Sequence, residues 1–184
     1  LYKILLPDNL NSIGASAFSS NDQLLEINIP DNVTAIYEDA FRDSYNIQTI
    51  DLPQNLTYIG ERAFMGCESA DITDYELPSG LTYIGNSAFE STAITRASIP
   101  TSIGHIGSWA FAECKNLKEI YFPNNITEIP YGIFSGCSSL ESFEISSNVT
   151  IIQDSAFEGC SSLSEINIPS GITILGSYAF SGCG

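Results

Sequence analysis

Five cysteines, one histidine and four Asn-x-Thr triplets are the residues of this chain whose types could do chemistry. Their spacing decides which chemistry is open to them. Cys114, Cys137, Cys160 and Cys183 follow one another at intervals of 23 residues, and Cys67 and all four of these stand three residues after a Phe. Thiols repeated at one phase of a repeated element point the same way. On neighbouring strands they lie about 4.8 Å apart in a row. A disulfide needs side chains turned toward each other, and zinc needs four ligands around a point. The spacing therefore predicts no disulfides and no metal, with Cys serving as a small buried apolar residue. His105, in GHIGSW, is the single histidine on which a Ser-His or Cys-His nucleophile system could be built. No catalytic motif surrounds it, so no catalytic residue and no cofactor is assigned. The sequons at Asn32, Asn55, Asn125 and Asn148 could accept N-glycans in a secreted eukaryotic protein. All four fall on the same turn of a repeating unit, where Asn is expected for its tolerance of left-handed backbone.

Charge narrows the choice of partner. The chain has 184 residues, 22 acidic and six basic side chains, and a net charge of −16. Clustered Lys and Arg are what a phosphate backbone or an anionic lipid surface requires, so nucleic acid and membrane binding are not expected. No run of 18 apolar residues exists that could insert into a bilayer. A protein ligand, neutral, cationic or bridged by cations, fits this balance better. The apolar share, 43%, is enough for a sizeable core. The chain opens in LYKILLP and closes in SGCG, both inside the repeat, which predicts a single domain over residues 1–184 belonging to a longer protein, with no terminal caps.

The elements that position these residues are set by the repeat. Ala-Phe recurs with its Phe at 18, 41, 64, 89, 111, 157 and 180, and Ile-Phe fills the eighth place at Phe134. A Pro precedes each Phe by eleven residues, at Pro7, Pro30, Pro53, Pro78, Pro100, Pro123 and Pro169, with Ser146 the one substitute. Before the Pro the chain reads L-x-x-I-x-I, as in Leu163, Ile166 and Ile168, whose alternation predicts a strand. After it come a turn, then V/L/I-T-x-I and often Gly, as in Gly60 and Gly85. These predict a second extended segment and a short helical turn. Departures such as Tyr37 and Pro130 at the Gly position are expected to leave the coil intact.

This unit resembles the 23-residue class of leucine-rich repeats typified by BspA-like surface proteins of bacteria and protists. The resemblance covers all eight copies. It implies a right-handed solenoid, a horseshoe or arc of about eight units of 22 to 25 residues. Parallel strands would line its concave side, and short strands and helical turns its convex side. It also implies adhesion to host or matrix proteins, and hence a cell-surface or extracellular setting. A single unit cannot bury its own apolar side, so stability comes from stacking.

Function is expected at positions the repeat does not dictate. On the outward side of the first strand these include Glu26, Asp51, Asp74, Glu76, Arg96, Glu119, Tyr121, Glu144, Glu165 and Asn167. They form an acidic strip for a protein ligand. Calcium is not expected there, since no D-x-D-x-D-G loop appears. A second candidate patch consists of Tyr58, Tyr83 and His105, in equivalent positions of successive units, together with Trp109. Such rings could stack on a sugar or anchor a protein contact. The expected function is a non-enzymatic protein-binding or adhesion module. The alternatives are a structural spacer array within a larger surface protein or filament, and a glycan-binding module.

Overall fold

The computed structural model describes residues 2–70 and 75–184. It is a parallel-strand solenoid, in which each coil, numbered 1 to 8 by its repeat Phe, has three sides. In chain order the strands are β1 (Lys3–Leu5), β2 (Ser12–Ile13), β3 (Glu26–Asn28), β4 (Ala35–Ile36), β5 (Thr49–Asp51), β6 (Tyr58–Ile59) and β7 (Tyr75–Glu76). They continue as β8 (Tyr83–Ile84), β9 (Arg96–Ser98), β10 (His105–Ile106), β11 (Glu119–Tyr121), β12 (Glu128–Ile129), β13 (Ile151–Ile152) and β14 (Ile174–Leu175). The first side carries the I-x-I strands, in the sheets β1-β3-β5 and β7-β9-β11. The second carries the T-x-I strands, in β2-β4-β6-β8-β10 and β12-β13-β14. Every pairing is parallel and joins equivalent residues of adjacent coils, for example Ile27 with Ile50 and Ile59 with Ile84.

Alternation along a strand turns one residue in and its neighbours out, so β3 and β5 read exposed, buried, exposed. The inward residues meet a spine of phenylalanines. Phe18, Phe41, Phe64, Phe89, Phe111, Phe134, Phe157 and Phe180 stack ring on ring, with centroids 5.2 to 6.3 Å apart. Burial of these rings and of the Ile and Leu beside them supplies the core.

On the third side the expected helical turn is replaced by a run of turns, and among the described residues there is no helix. The reason lies in where the amides point. In coil 2 the N–H groups of Asp39, Phe41 and Asp43 donate to Glu61, Ala63 and Met65 of the next coil at 2.8 to 2.9 Å, while those of Ala40 and Arg42 close local turns. Alternate amides thus leave the coil, and no continuous helical ladder can form. Residues in the left-handed region recur four apart to allow this, as at Ser16 and Ser20, Asp39 and Asp43, and Gly132 and Gly136.

The left-handed region is not used by the turn asparagines. Instead the carboxamide nitrogens of Asn32, Asn55 and Asn148 donate to the carbonyls of Asp8, Asp31 and Asn124 in the preceding coil, at 2.7 to 2.9 Å. Asn is at this position to bridge coils. The threonine row works similarly: the hydroxyls of Thr57, Thr82 and Thr173 each donate to the carbonyl of the Thr one coil earlier, at 3.0 to 3.1 Å.

Among the described residues, two seams after β9 depart from this regularity. Coil 6 has Pro130 where its neighbours have a residue whose N–H bonds the preceding coil, as Gly107 does to Ile84 and Gln153 to Ile129. Proline has no N–H to give, and the second-side sheet stops at β10 and restarts at β12. On the first side the pairing dwindles after β11 to one bridge, Glu119 with Ser142. There Phe122 and Phe143 replace the usual Ile or Leu and pack edge-on at 5.3 Å, wedged against Phe134 and Phe157.

Candidate functional site

The first side sets the acidic strip in order. Parallel pairing brings Lys3, Glu26 and Thr49 into one row and Leu5, Asn28 and Asp51 into the next. Further along, Arg96 faces Glu119, and Glu76, Ser98 and Tyr121 line up. Glu26, Asp51, Glu76, Arg96, Tyr121, Glu144, Glu165 and Asn167 are exposed, and Glu119 is partly so. Asp74 lies outside the described residues.

The strip's two cations are matched to adjacent strands. Lys3 Nζ is 2.5 Å from a carboxylate oxygen of Glu26, and Arg96 Nε is 3.6 Å from Glu119. Tyr121 donates its hydroxyl to the same Glu119 carboxylate at 3.1 Å, and that anion holds the phenol above its ordinary pKa. Among the described residues no cation stands within ion-pair distance of Asp51, Glu76, Glu144 or Glu165. At the first-side seam a groove of about 620 Å³ opens, lined by Glu119, Tyr121, Glu144 and Asn167 over Phe143 and Ile145. The strip thus has a relief that its strand positions alone do not suggest.

The second side brings most of the aromatic patch together. Tyr58, Tyr83 and His105 occupy paired positions of β6, β8 and β10, with ring centroids 4.7 Å apart at each step and planes within 20°. Tyr37 adds a tilted fourth ring at 5.8 Å from Tyr58. Burial against these neighbours raises the pKa of Tyr58. Trp109 is not part of this stack. It starts the third-side turn in the left-handed region, and its indole meets Tyr131 edge-on at 4.7 Å. Its position two residues before Phe111 turns it to another side of the coil, which spacing from His105 alone does not reveal.

Beside His105 the missing rung at Pro130 leaves a second groove, about 660 Å³, whose walls include Glu128, Tyr131 and Gln153. None of these three stood out in the sequence. The available signal was Pro130 itself, a residue without an N–H at a position whose N–H the other coils use.

The cysteines have a job more specific than filling space. Each thiol donates to the carbonyl of the repeat Phe in the preceding coil: Cys67 to Phe41, Cys114 to Phe89, Cys137 to Phe111, Cys160 to Phe134 and Cys183 to Phe157, at 3.1 to 3.3 Å. Ser44 does the same to Phe18 at 2.7 Å. All five thiols are free, and burial pushes Cys67 and Cys160 up to about 12 and Cys114 to about 11. At neutral pH they are protonated donors, not thiolate nucleophiles. The basic residues outside the strip include Arg62, which bridges coils through a bidentate pair to Asp39 at 2.8 and 3.0 Å.

Among the described residues no helix is long and apolar enough to cross a membrane. No curated protein matches the sequence. Solved structures do. A leucine-rich repeat protein of Bacteroides ovatus is 33% identical with a TM-score of 0.91, over 95% of this chain and 45% of that one. A leucine-rich cell surface protein of Faecalibacterium prausnitzii is 31% identical with a TM-score of 0.67, over 100% of this chain and 57% of that one. The fold is shared with the leucine-rich repeat protein of T. pallidum, at 24% identity and a TM-score of 0.74, over 99% of this chain and 76% of that one. The chain thus spans about half the length of the first two. The profile of the BspA type leucine-rich repeat region matches residues 1–103 and 82–184. With every coil covered, the chain belongs to the BspA-type leucine-rich repeat family.

Proposed function

We propose that this chain is a non-enzymatic protein-binding module of a cell-surface or secreted protein and that its first side is the contact surface. The observation that carries this reading is the division of labour among side chains. Asn, Thr, Cys and the Phe spine are consumed by contacts between coils, whereas Glu26, Asp51, Glu76, Glu144 and Glu165 stand outward at the spacing of the coils. Stacked carboxylates repel one another and are screened in salt. A ligand presenting Lys or Arg at matching intervals relieves that repulsion, so the partner is a protein with a basic surface. Surface presentation is supported by the F. prausnitzii relative, which is a cell surface protein.

The test is capture of extracellular matrix and cell-surface proteins by the immobilised chain, repeated with Asp51→Lys, Glu76→Lys and Glu144→Lys combined. Binding should fall at least tenfold in the triple variant and weaken as salt rises. A partner held equally well by both chains would place the contact off the first side, and no captured partner would leave the spacer reading, in which only the stacking matters.

A further inference from the structure

We propose that the second-side groove between coils 5 and 6 is a binding site for a neutral saccharide, separate from the protein-binding surface. Pro130 makes the site. In the regular seams two rungs tie the second-side strands, as when Thr82 N–H donates to Thr57 O and Gly85 N–H to Ile59 O, both at 2.9 Å. At coil 6 Pro130 removes the second rung, the first is not made, and no backbone amide of coil 6 reaches the carbonyls of Gly104 and Ile106. The strands part, and the space of about 660 Å³ falls in the range of small-ligand sites, roughly 300 to 1,000 Å³.

The lining selects the ligand. Asn86, Asn125, Glu128 and Gln153 bring carboxamides and a carboxylate to one groove, with His105 and Tyr131 at its sides. Asn125 Nδ2 is spent on the carbonyls of Thr101 and Ile103, and Asn86 Oδ1 on the Ser108 N–H. This leaves Asn125 Oδ1 to accept, Asn86 Nδ2 to donate and Gln153 to do both, a mixture that matches hydroxyls on adjacent ring carbons. Gln153 already donates to Glu128 at 2.7 Å, so the pair presents a fixed polar wall. The apolar face of a sugar ring needs an aromatic face, and His105 ends the parallel stack begun by Tyr58 and Tyr83. No Lys or Arg lines the groove and Glu128 does, so sialylated, uronic and sulfated sugars are disfavoured. An inserted peptide strand would find the carbonyls of Gly104 and Ile106 on one side and only the Thr127 N–H on the other, since Pro130 has none to give.

Trp109 is the chain's single tryptophan and packs on Tyr131 at 4.7 Å, so its emission reports on the groove. The experiment is a glycan array of neutral, sialylated and sulfated glycans, followed by fluorescence titration of the hits. A neutral glycan should bind and shift the Trp109 emission. Affinity should fall at least tenfold in Glu128→Gln combined with Gln153→Ala, and again in Pro130→Gly, where the restored N–H can close the seam. Folding of each variant is checked by its circular dichroism and melting curve. Three results overturn the proposal: an array silent for neutral glycans, a neutral hit indifferent to both variants, or capture of extended peptides at these residues with no glycan bound. None of these touches the first-side reading, whose charge-reversed variant leaves the groove intact.

Discussion

Cys137 accepts no partner thiol and donates instead to Phe111 O at 3.1 Å, which makes the cysteine ladder a set of hydrogen-bond rungs. Ser44 shows that a hydroxyl serves the same carbonyl in coil 2. Cys137→Ser should therefore cost less than Cys137→Ala, which leaves the carbonyl without this donor and opens a small void, a loss of about 1 to 2 kcal/mol in urea unfolding. Alkali supplies an independent check. Burial raises these thiols from an ordinary value of 9.0 to about 11 at Cys114 and about 12 at Cys67 and Cys160. Their neutral forms favour the fold fully below the unfolded pKa, and that stability drains away as pH rises from about 9 toward the folded values. The urea midpoint should thus fall between pH 9 and 11, and fall less in Cys67→Ser combined with Cys160→Ser. An equal fall in both chains would assign the alkaline loss to the tyrosines.

At the scale of the element, the glycine after the T-x-I strand is a matter of backbone approach. A Cβ on Gly85 would sit 2.5 Å from Glu61 N and 2.6 Å from Gly60 C, whereas a Cβ on Gly14, in the first coil of this chain, meets nothing within 4 Å. Gly85→Ala should lower stability by roughly 2 kcal/mol or more through forced separation of coils 3 and 4, and Gly14→Ala should leave the melting temperature nearly unchanged. Comparable melting temperatures for the two would remove close approach as the reason for glycine. The sequence made much of this element legible, because periods of 23 leave few ways to stack: the strands, their faces, the fixed phase of the repeat Phe and the aromatic row of Tyr58, Tyr83 and His105 were all readable, while the stacking of the Phe rings was not. The third side was not, since a run of turns whose amides alternate between local and inter-coil partners has no distinct hydrophobic period. The role of Asn32 and Asn55 was misread for a similar reason. A turn preference and a hydrogen bond to the previous coil select the same residue. The grooves were illegible because each arises from one substitution acting through its neighbours, Pro130 on one side and Phe122 with Phe143 on the other.

Across the whole molecule, stability is a sum over coils and the seams between them, so one weak seam should show as local opening before global unfolding. The coil 5 to coil 6 seam is weak on one side only. Its first side is held by the β9 and β11 pairing. Its third side keeps the amides of Trp109, Phe111 and Glu113 bonded to Tyr131, Ile133 and Ser135 at 2.7 to 3.1 Å. The coils should therefore gape on the second side without coming apart, and thermal unfolding should stay a single transition. Hydrogen exchange resolves this residue by residue. Thr82 N–H is tied to Thr57 O at 2.9 Å, and Thr150 N–H to Thr127 O at 2.9 Å. Thr127, between them in phase, has no such rung to Gly104. Its amide should exchange at least tenfold faster than those of Thr82 and Thr150, while Phe111 and Phe134 exchange as slowly as Phe64. Pro130→Gly should bring Thr127 toward its neighbours' rates, because a second rung at residue 130 draws the strands together. If Thr127 is as protected as Thr82 in the natural chain, the seam is closed in solution and Pro130 does not open it.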